Sequence, residues 1–334
     1  MRPGALLAMA PEAADAVVGH RGLAEVEALC QLPYREPLTE FRSEQAQERL
    51  AETEVLLTGW GSPVLDEEAL AAAPRLQAII HTAGSVRGHV TPACFERGIM
   101  VSSAAAANAK PVIEYTLAMI LLEGKQVLPR AAAYRRERTM PALRDIDPAL
   151  GNNGITVGIL SASLIGRGVM DLLRHHDVEV LLADPYVDSS IAEHYGAQLV
   201  DNAELFARSD VLSIHTPLLP STRGLVSADL LSSMKPGAVL INTARGAVVD
   251  QEALAAQALA GSLRAVLDVT DPEVLPPDHP LWECEDVLIT PHLAGSQGNE
   301  LVRLRELALD ELRRWIAGDS FRHPVRHESL ELIA

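Results

Sequence analysis

The chain has 334 residues, with 28 Lys and Arg against 45 Asp and Glu, a formal charge of −17. That length predicts two domains, because single cores stop growing at about 250–300 residues, and a 48% hydrophobic content excludes disorder as the main theme. The charge argues against a general nucleic-acid binder, which needs a positive face. The longest apolar stretch, around Tyr115 to Leu122, is broken by Glu114 and Glu123 and falls far short of the roughly 20 residues of a bilayer span.

At the N-terminus the short apolar run Ala5 to Ala10 meets Glu12 and Asp15 at once, so it reads as a first strand rather than a signal peptide. Further strands are predicted at Glu54–Thr58, Leu76–Thr82 and Met100–Ser102. A helix from Ala109 to Leu122 comes next, opened by Asn108 as its cap and Pro111 in its first turn. A polar, Arg-rich stretch from Arg130 to Arg144 and a turn at Gly151 to Gly154 follow.

A second set of strands is predicted at Thr156–Leu160, Glu179–Ala183, Gln198–Val200, Val211–His215, Ala238–Asn242, Ala265–Val269 and Val287–Thr290. Several are apolar throughout, as parallel strands covered on both faces are. Their alternation with helical patterns predicts α/β units and doubly wound sheets. The last helix, about Gly298 to Ala317, is expected to have no strand after it and to return to the first domain. Cys30, Cys94 and Cys284 are widely spaced. They predict reduced, buried thiols of a cytoplasmic protein, not a disulfide frame or a zinc site. His175, His176 and Asp177 are adjacent, so they do not converge on a metal, and none is expected.

Strand Thr156–Leu160 runs into Ser161-Ala162-Ser163-Leu164-Ile165-Gly166 and then a helix. A dinucleotide loop places glycines at the first, third and sixth of these positions, and here Gly166 alone keeps one. The helix start, with Ser163, Leu164, Ile165 and Gly166, still offers N–H groups to an anion. Asp184, at the end of the next strand and 21 residues after Ser163, suits the adenosine ribose hydroxyls and favours NAD over NADP.

Three more segments lie at predicted strand ends. They are Asn242-Thr243-Ala244-Arg245-Gly246, Asp268 to Glu273, and Thr290-Pro291-His292-Leu293-Ala294-Gly295. Open α/β sheets bind ligands at that edge. Arg245 would clamp a carboxylate, His292 would exchange a proton, and Glu273 would orient the imidazole. His215, with Thr216 and Pro217, is expected to border the cofactor. Trp60 is balanced between core packing and a wall of the substrate pocket. Arg87 and His89 are expected at the surface, where they could meet a second anionic group.

These residues resemble the D-isomer-specific 2-hydroxyacid dehydrogenases. The likeness rests on Asn242–Gly246, Asp268–Glu273 and Thr290–Gly295 in that order, with His215–Leu218, Ser221–Leu225, Met234–Ala238 and Pro280–Trp282 also matching. The resemblance implies two Rossmann-like doubly wound parallel-sheet domains. A NAD-binding domain at 108–299, with a dimerisation arm at about 109–150, would be inserted into a smaller flavodoxin-like substrate domain at 1–107 and 300–334. It implies a homodimer that uses NADH to interconvert a small D-2-hydroxyacid and its 2-keto acid between the domains, and the charge and the short apolar runs leave no nucleic-acid or membrane partner expected. Arg245 would bind the substrate carboxylate, His292 and Glu273 would move the proton, Asp268 would hold the nicotinamide carboxamide, and Gly84 and Ser85 would complete the carboxylate site. The chain departs from the family at Ser161, at Ser163 and in the loop Gly84 to His89. Two alternatives stay open: a dehydrogenase of a related small anion, and a non-enzymatic NAD-sensing regulator of the co-repressor kind.

Overall fold

The computed structural model describes residues 2–330, so both ends of the expected substrate domain lie outside it. The chain divides into two compact units, Met1–Ala109 with Ser296–Ala334, and Lys110–Gly295.

In the first unit, strands β1 (Ala5–Ala8), β2 (Val55–Thr58), β3 (Ala78–His81) and β4 (Met100–Ser103) form a parallel sheet in sequence order. Alternation of side chains across each strand splits its apolar residues between two cores. Leu6, Leu56, Ile79 and Val101 pack on one face with Leu50 and Leu70. Leu7, Leu57 and Ile80 pack on the other with Val26, Leu309 and Leu312, so the Leu301–Ala317 helix covers that face of the first sheet. The turn after this helix leads into a short strand, β12 (Pro324–Val325), which pairs antiparallel with β4. This corrects the expectation that no strand follows the last helix. A two-residue strand carries no readable period, and proline is tolerated because β12 lies at the sheet edge.

The second unit holds seven parallel strands: β5 (Thr156–Leu160), β6 (Glu179–Ala183), β7 (Ala197–Leu199), β8 (Val211–Ile214), β9 (Val239–Asn242), β10 (Arg264–Leu267) and β11 (Val287–Ile289). Their order is β11-β10-β9-β8-β5-β6-β7. The winding therefore reverses between β5 and β8, the switch point at which open α/β sheets bind ligands. Both faces are apolar, one with Leu160, Leu181, Leu212 and Leu240, the other with Val157, Ile159, Leu182 and Ile241.

The helix expected from Ala109 runs instead from Ala105 to Gly124. Asn108 and Pro111 lie inside it, and Asn108 is not its cap. Ala104 to Ala107 are strong helix formers, and they carry the helix one turn further toward the N-terminus, where the Ser103 hydroxyl accepts the Ala105 N–H at 3.4 Å. Part of the Arg-rich stretch is also helical, Val127–Glu137, with no buried residue. Among the described residues no helix is long and apolar enough to cross a membrane.

Candidate active site

In the second unit the three motif segments leave the C-terminal ends of β9, β10 and β11, which are neighbours in the sheet. Arg245 follows β9. The Asn242 side chain grips its loop, with Nδ2 donating to the Arg245 carbonyl at 2.9 Å and Oδ1 accepting the Ala244 N–H at 3.0 Å. Arg245 is half-buried and donates to the Ala244 carbonyl at 2.6 Å. Thr243 meets Thr116 hydroxyl to hydroxyl at 3.3 Å.

Gly246 is required where it stands. A Cβ there would lie 2.1 Å from the Thr270 carbonyl carbon, so the absence of a side chain lets the Arg245 loop rest on the loop that carries Glu273. Thr270 steadies that second loop by donating to the carbonyls of Pro272 and Glu273. Gln251 holds Asp271 through its backbone N–H and carbonyl at 3.0 and 2.9 Å.

Glu273 then reaches His292, Oε1 to Nδ1, at 2.6 Å. His292 has a left-handed backbone, φ +50°. Buried Asp268 explains how that conformation is held. Its Oδ1 accepts the Thr290 hydroxyl at 2.6 Å and the Leu293 N–H at 2.9 Å, and its Oδ2 accepts the Ala294 N–H at 2.9 Å. Since the Thr290 proton is committed to Asp268, Tyr115 donates to Thr290 Oγ1, at 3.0 Å. Burial pushes the Tyr115 phenol above its usual range, and the Asp268 charge adds to the shift, so it stays a donor. Sequence reasoning missed Tyr115 and Thr290. The available signal was a phenol in an apolar helix, which needs a partner when buried.

On the other side of the switch point, Ser161 has φ +82°. Ser163 caps the Leu164–Leu173 helix by accepting the Gly166 N–H. A Cβ at Gly166 would stand 2.1 Å from the Ser161 carbonyl oxygen, so the helix start packs against the loop as a dinucleotide fold requires. Asp184 is half-buried and turned toward the loop. His215 is buried, with Nε2 on the Ser213 hydroxyl at 3.0 Å, and burial pushes it down to about 3. It is therefore neutral, and it stands directly before Thr216 and Pro217. Gly295 is the last residue of the second unit.

In the first unit, Trp60 is 43% exposed and is not core packing. Its loop is pinned by the Ala10 N–H donating to the Trp60 carbonyl and by Gly61, whose missing Cβ leaves room for Ala10. Gly84 faces the Asn108 amide, and Ser85 accepts the Arg87 N–H at 3.3 Å. Arg87 is exposed, but His89 is buried, correcting the surface expectation. His89 Nε2 lies 3.3 Å from Thr58 Oγ1, which also meets His81 Nδ1 at 2.9 Å, and the two imidazole rings lie tilted at 36° with centroids 4.5 Å apart. A turn at Gly88 with φ +93° folds His89 inward. Cys30, Cys94 and Cys284 are buried and unpaired.

The family model described as D-isomer specific 2-hydroxyacid dehydrogenase, NAD binding domain, matches residues 117–294. The chain is 34% identical over 256 residues to a D-3-phosphoglycerate dehydrogenase of Mycobacterium bovis, covering 76% of this chain and 48% of that one. It thus spans about half the length of the phosphoglycerate dehydrogenases it matches. An (S)-sulfolactate dehydrogenase of Chromohalobacter salexigens is 33% identical over 257 residues, 75% of this chain and 81% of its own. The crystal structure of the TT0316 protein from Thermus thermophilus superposes with a TM-score of 0.74 at 28% identity, over 96% of this chain and 99% of that one. The chain belongs to the D-isomer specific 2-hydroxyacid dehydrogenase family.

Proposed function

We propose that the chain is an NAD-dependent oxidoreductase that interconverts a small D-2-hydroxyacid and its 2-keto acid. The observation that carries this reading is the 2.6 Å contact between His292 and Glu273, on loops beside the strand that delivers Arg245. An arginine, a carboxylate and an imidazole at one sheet edge are the set that carboxylate binding and proton transfer at C2 require.

Bound dinucleotide would supply the hydride in the reductive direction and accept it in the oxidative one. The residues suited to hold it are Ser163, Leu164, Ile165 and Gly166 at the helix start, with Asp184 at the ribose and His215, Thr216 and Pro217 along the wall. Thr243, Ala244, Asp268 and Gly295 would stand nearer the reacting end. The Gly166 cradle supports the fit, and the acid at the end of β6 favours NAD over NADP. Asp268 Oδ2 accepts the Ala294 N–H, and a carboxylate oxygen takes a second donor such as a carboxamide.

Arg245 would bind the substrate carboxylate and stabilise the oxygen at C2. His292 would give that oxygen its proton during reduction and take it back during oxidation, while Glu273 keeps the imidazole in the donating orientation. Trp60, Gly84 and Ser85, at loops after β2 and β3, are proposed as substrate-facing residues. Exposed Tyr134, Met140 and Leu143 support a homodimer formed through residues 109–150, which a light-scattering mass would test. The three unpaired cysteines fit a reducing, cytoplasmic setting.

The deciding experiment is NADH oxidation with 2-keto acids from glyoxylate to phenylpyruvate, with NADPH and His292→Ala as controls. Turnover that disappears in the variant supports the reading. NADH binding without turnover of any acid would replace it with the sensor alternative.

A further inference from the structure

Ser161 is the first residue after β5, where a dinucleotide loop makes its tight turn. Its φ of +82° belongs to the region that glycine occupies freely and other residues rarely adopt. The neighbouring bonds show what the serine gains there. Ser161 Oγ donates to Asp184 Oδ2 at 3.1 Å, and the Ala162 N–H donates to the same oxygen at 2.8 Å. The Tyr186 N–H donates to Oδ1 at 2.8 Å. A carboxylate oxygen accepts two hydrogen bonds well. These partners therefore fill Oδ2 and leave Oδ1 room for one donor.

An adenosine ribose offers two hydroxyls and is held best when each carboxylate oxygen takes one. We propose that Ser161 sets the dinucleotide affinity of this chain: its hydroxyl occupies the acceptor position on Asp184 that a ribose hydroxyl would use. The ribose then binds through Oδ1 alone or displaces the serine. The inference rests on the dinucleotide reading above. It concerns the strength of binding, and it makes Ser161 a determinant of affinity rather than a catalytic residue. The Ala162 N–H is backbone and stays in place whatever residue 161 is, so the side-chain contribution can be removed by itself.

The test is calorimetric titration of the full chain and of the Ser161→Ala and Ser161→Gly variants. The probes are NADH and an NADH analogue that lacks both adenosine ribose hydroxyls. Ser161→Ala keeps a Cβ in the same backbone and deletes only the hydroxyl, whereas Ser161→Gly also supplies the residue that the positive φ favours. Circular dichroism establishes that both fold, and the glycine variant keeps the test open if alanine does not. The expected result is a Kd for NADH about three- to tenfold lower in both variants, the scale of one net hydrogen bond, with the analogue's Kd unchanged. Three outcomes overturn the proposal: NADH binding no tighter than in the parent chain, an equal gain with the analogue, or no NADH binding by any of the three proteins. The first two leave the dinucleotide reading standing, and the third removes both.

Discussion

His292 Nδ1 and Glu273 Oε1 stand 2.6 Å apart although each side chain is about half exposed. An exposed pair of this kind contributes little to folding, so its worth lies in orientation. With Nδ1 engaged, Nε2 is the nitrogen left to exchange a proton. His292→Ala should lower kcat by about 10²- to 10⁴-fold while NADH still binds with the parent Kd. Glu273→Gln keeps a polar partner but loses its charge, and kcat should fall by roughly tenfold. Stopped-flow rates across pH check both, and an unchanged His292→Ala rate would discard the mechanism.

The path from Tyr115 through Thr290 to Asp268 ties the Ala105–Gly124 helix to the loop that sets His292. Thr290→Val should strand the Tyr115 phenol and free one Asp268 lone pair, at about 1–3 kcal/mol of stability, with kcat lowered by roughly tenfold. Thr290→Ser, which keeps the hydroxyl, should restore the rate. Tyr115→Phe should be milder, at about 1 kcal/mol. Equal kcat loss in the serine and valine variants would remove Thr290 from the positioning role.

His81, His89 and His215 are buried and pushed down to about 3, 4 and 3 by burial, with His89 adding to the shift at His81. In the unfolded chain all three return to about 6.5. Their folded forms bind fewer protons below that value, so stability is complete above about pH 6.5 and is lost as the pH falls toward 4 and 3. Each costs roughly 1.4 kcal/mol per pH unit in that window. Melting temperature should drop steeply between about pH 6.5 and pH 4, and His89→Gln should flatten the slope. A flat profile in the parent chain would mean that burial does not hold these imidazoles below their ordinary value in the folded protein.

How much of this was readable from residues alone follows from range. All the strands but β12 announce themselves locally, because β-branched and apolar runs covered on both faces need no partner information. The motif segments sit at strand ends by the same local logic, which places Arg245, Asp268 and the approach to His292 at one edge. Contacts that depend on distant partners were not readable. His89 is buried because Thr58 and His81, on two other strands, receive it. Asp184 bonds its own loop because Ser161 takes a positive φ that sequence assigns to glycine. Asn108 reads as a cap beside Pro111, yet the alanines before it extend the helix and leave its side chain to accept the Ser296 N–H at 3.0 Å.

Glu123 interrupts an apolar sequence for a reason that appears only in the fold. Its carboxylate is buried and meets the Arg264 guanidinium of β10. Burial pushes Glu123 above the usual carboxylate range, while Arg264 opposes the shift. Removing one partner of a buried pair costs more than removing both. Arg264→Met should therefore cost about 3–5 kcal/mol, and Glu123→Met/Arg264→Met should recover most of it. The single variant also carries a sign. With Arg264 gone, the folded pKa of Glu123 rises further above its unfolded value. Stability is then retained below the unfolded pKa and lost as pH rises through the folded one, so Arg264→Met should be weaker at pH 8 than at pH 5. Chemical denaturation of the three proteins at both pH values checks this. A double variant no more stable than Arg264→Met would show that the pair, rather than its burial, holds the helix to β10.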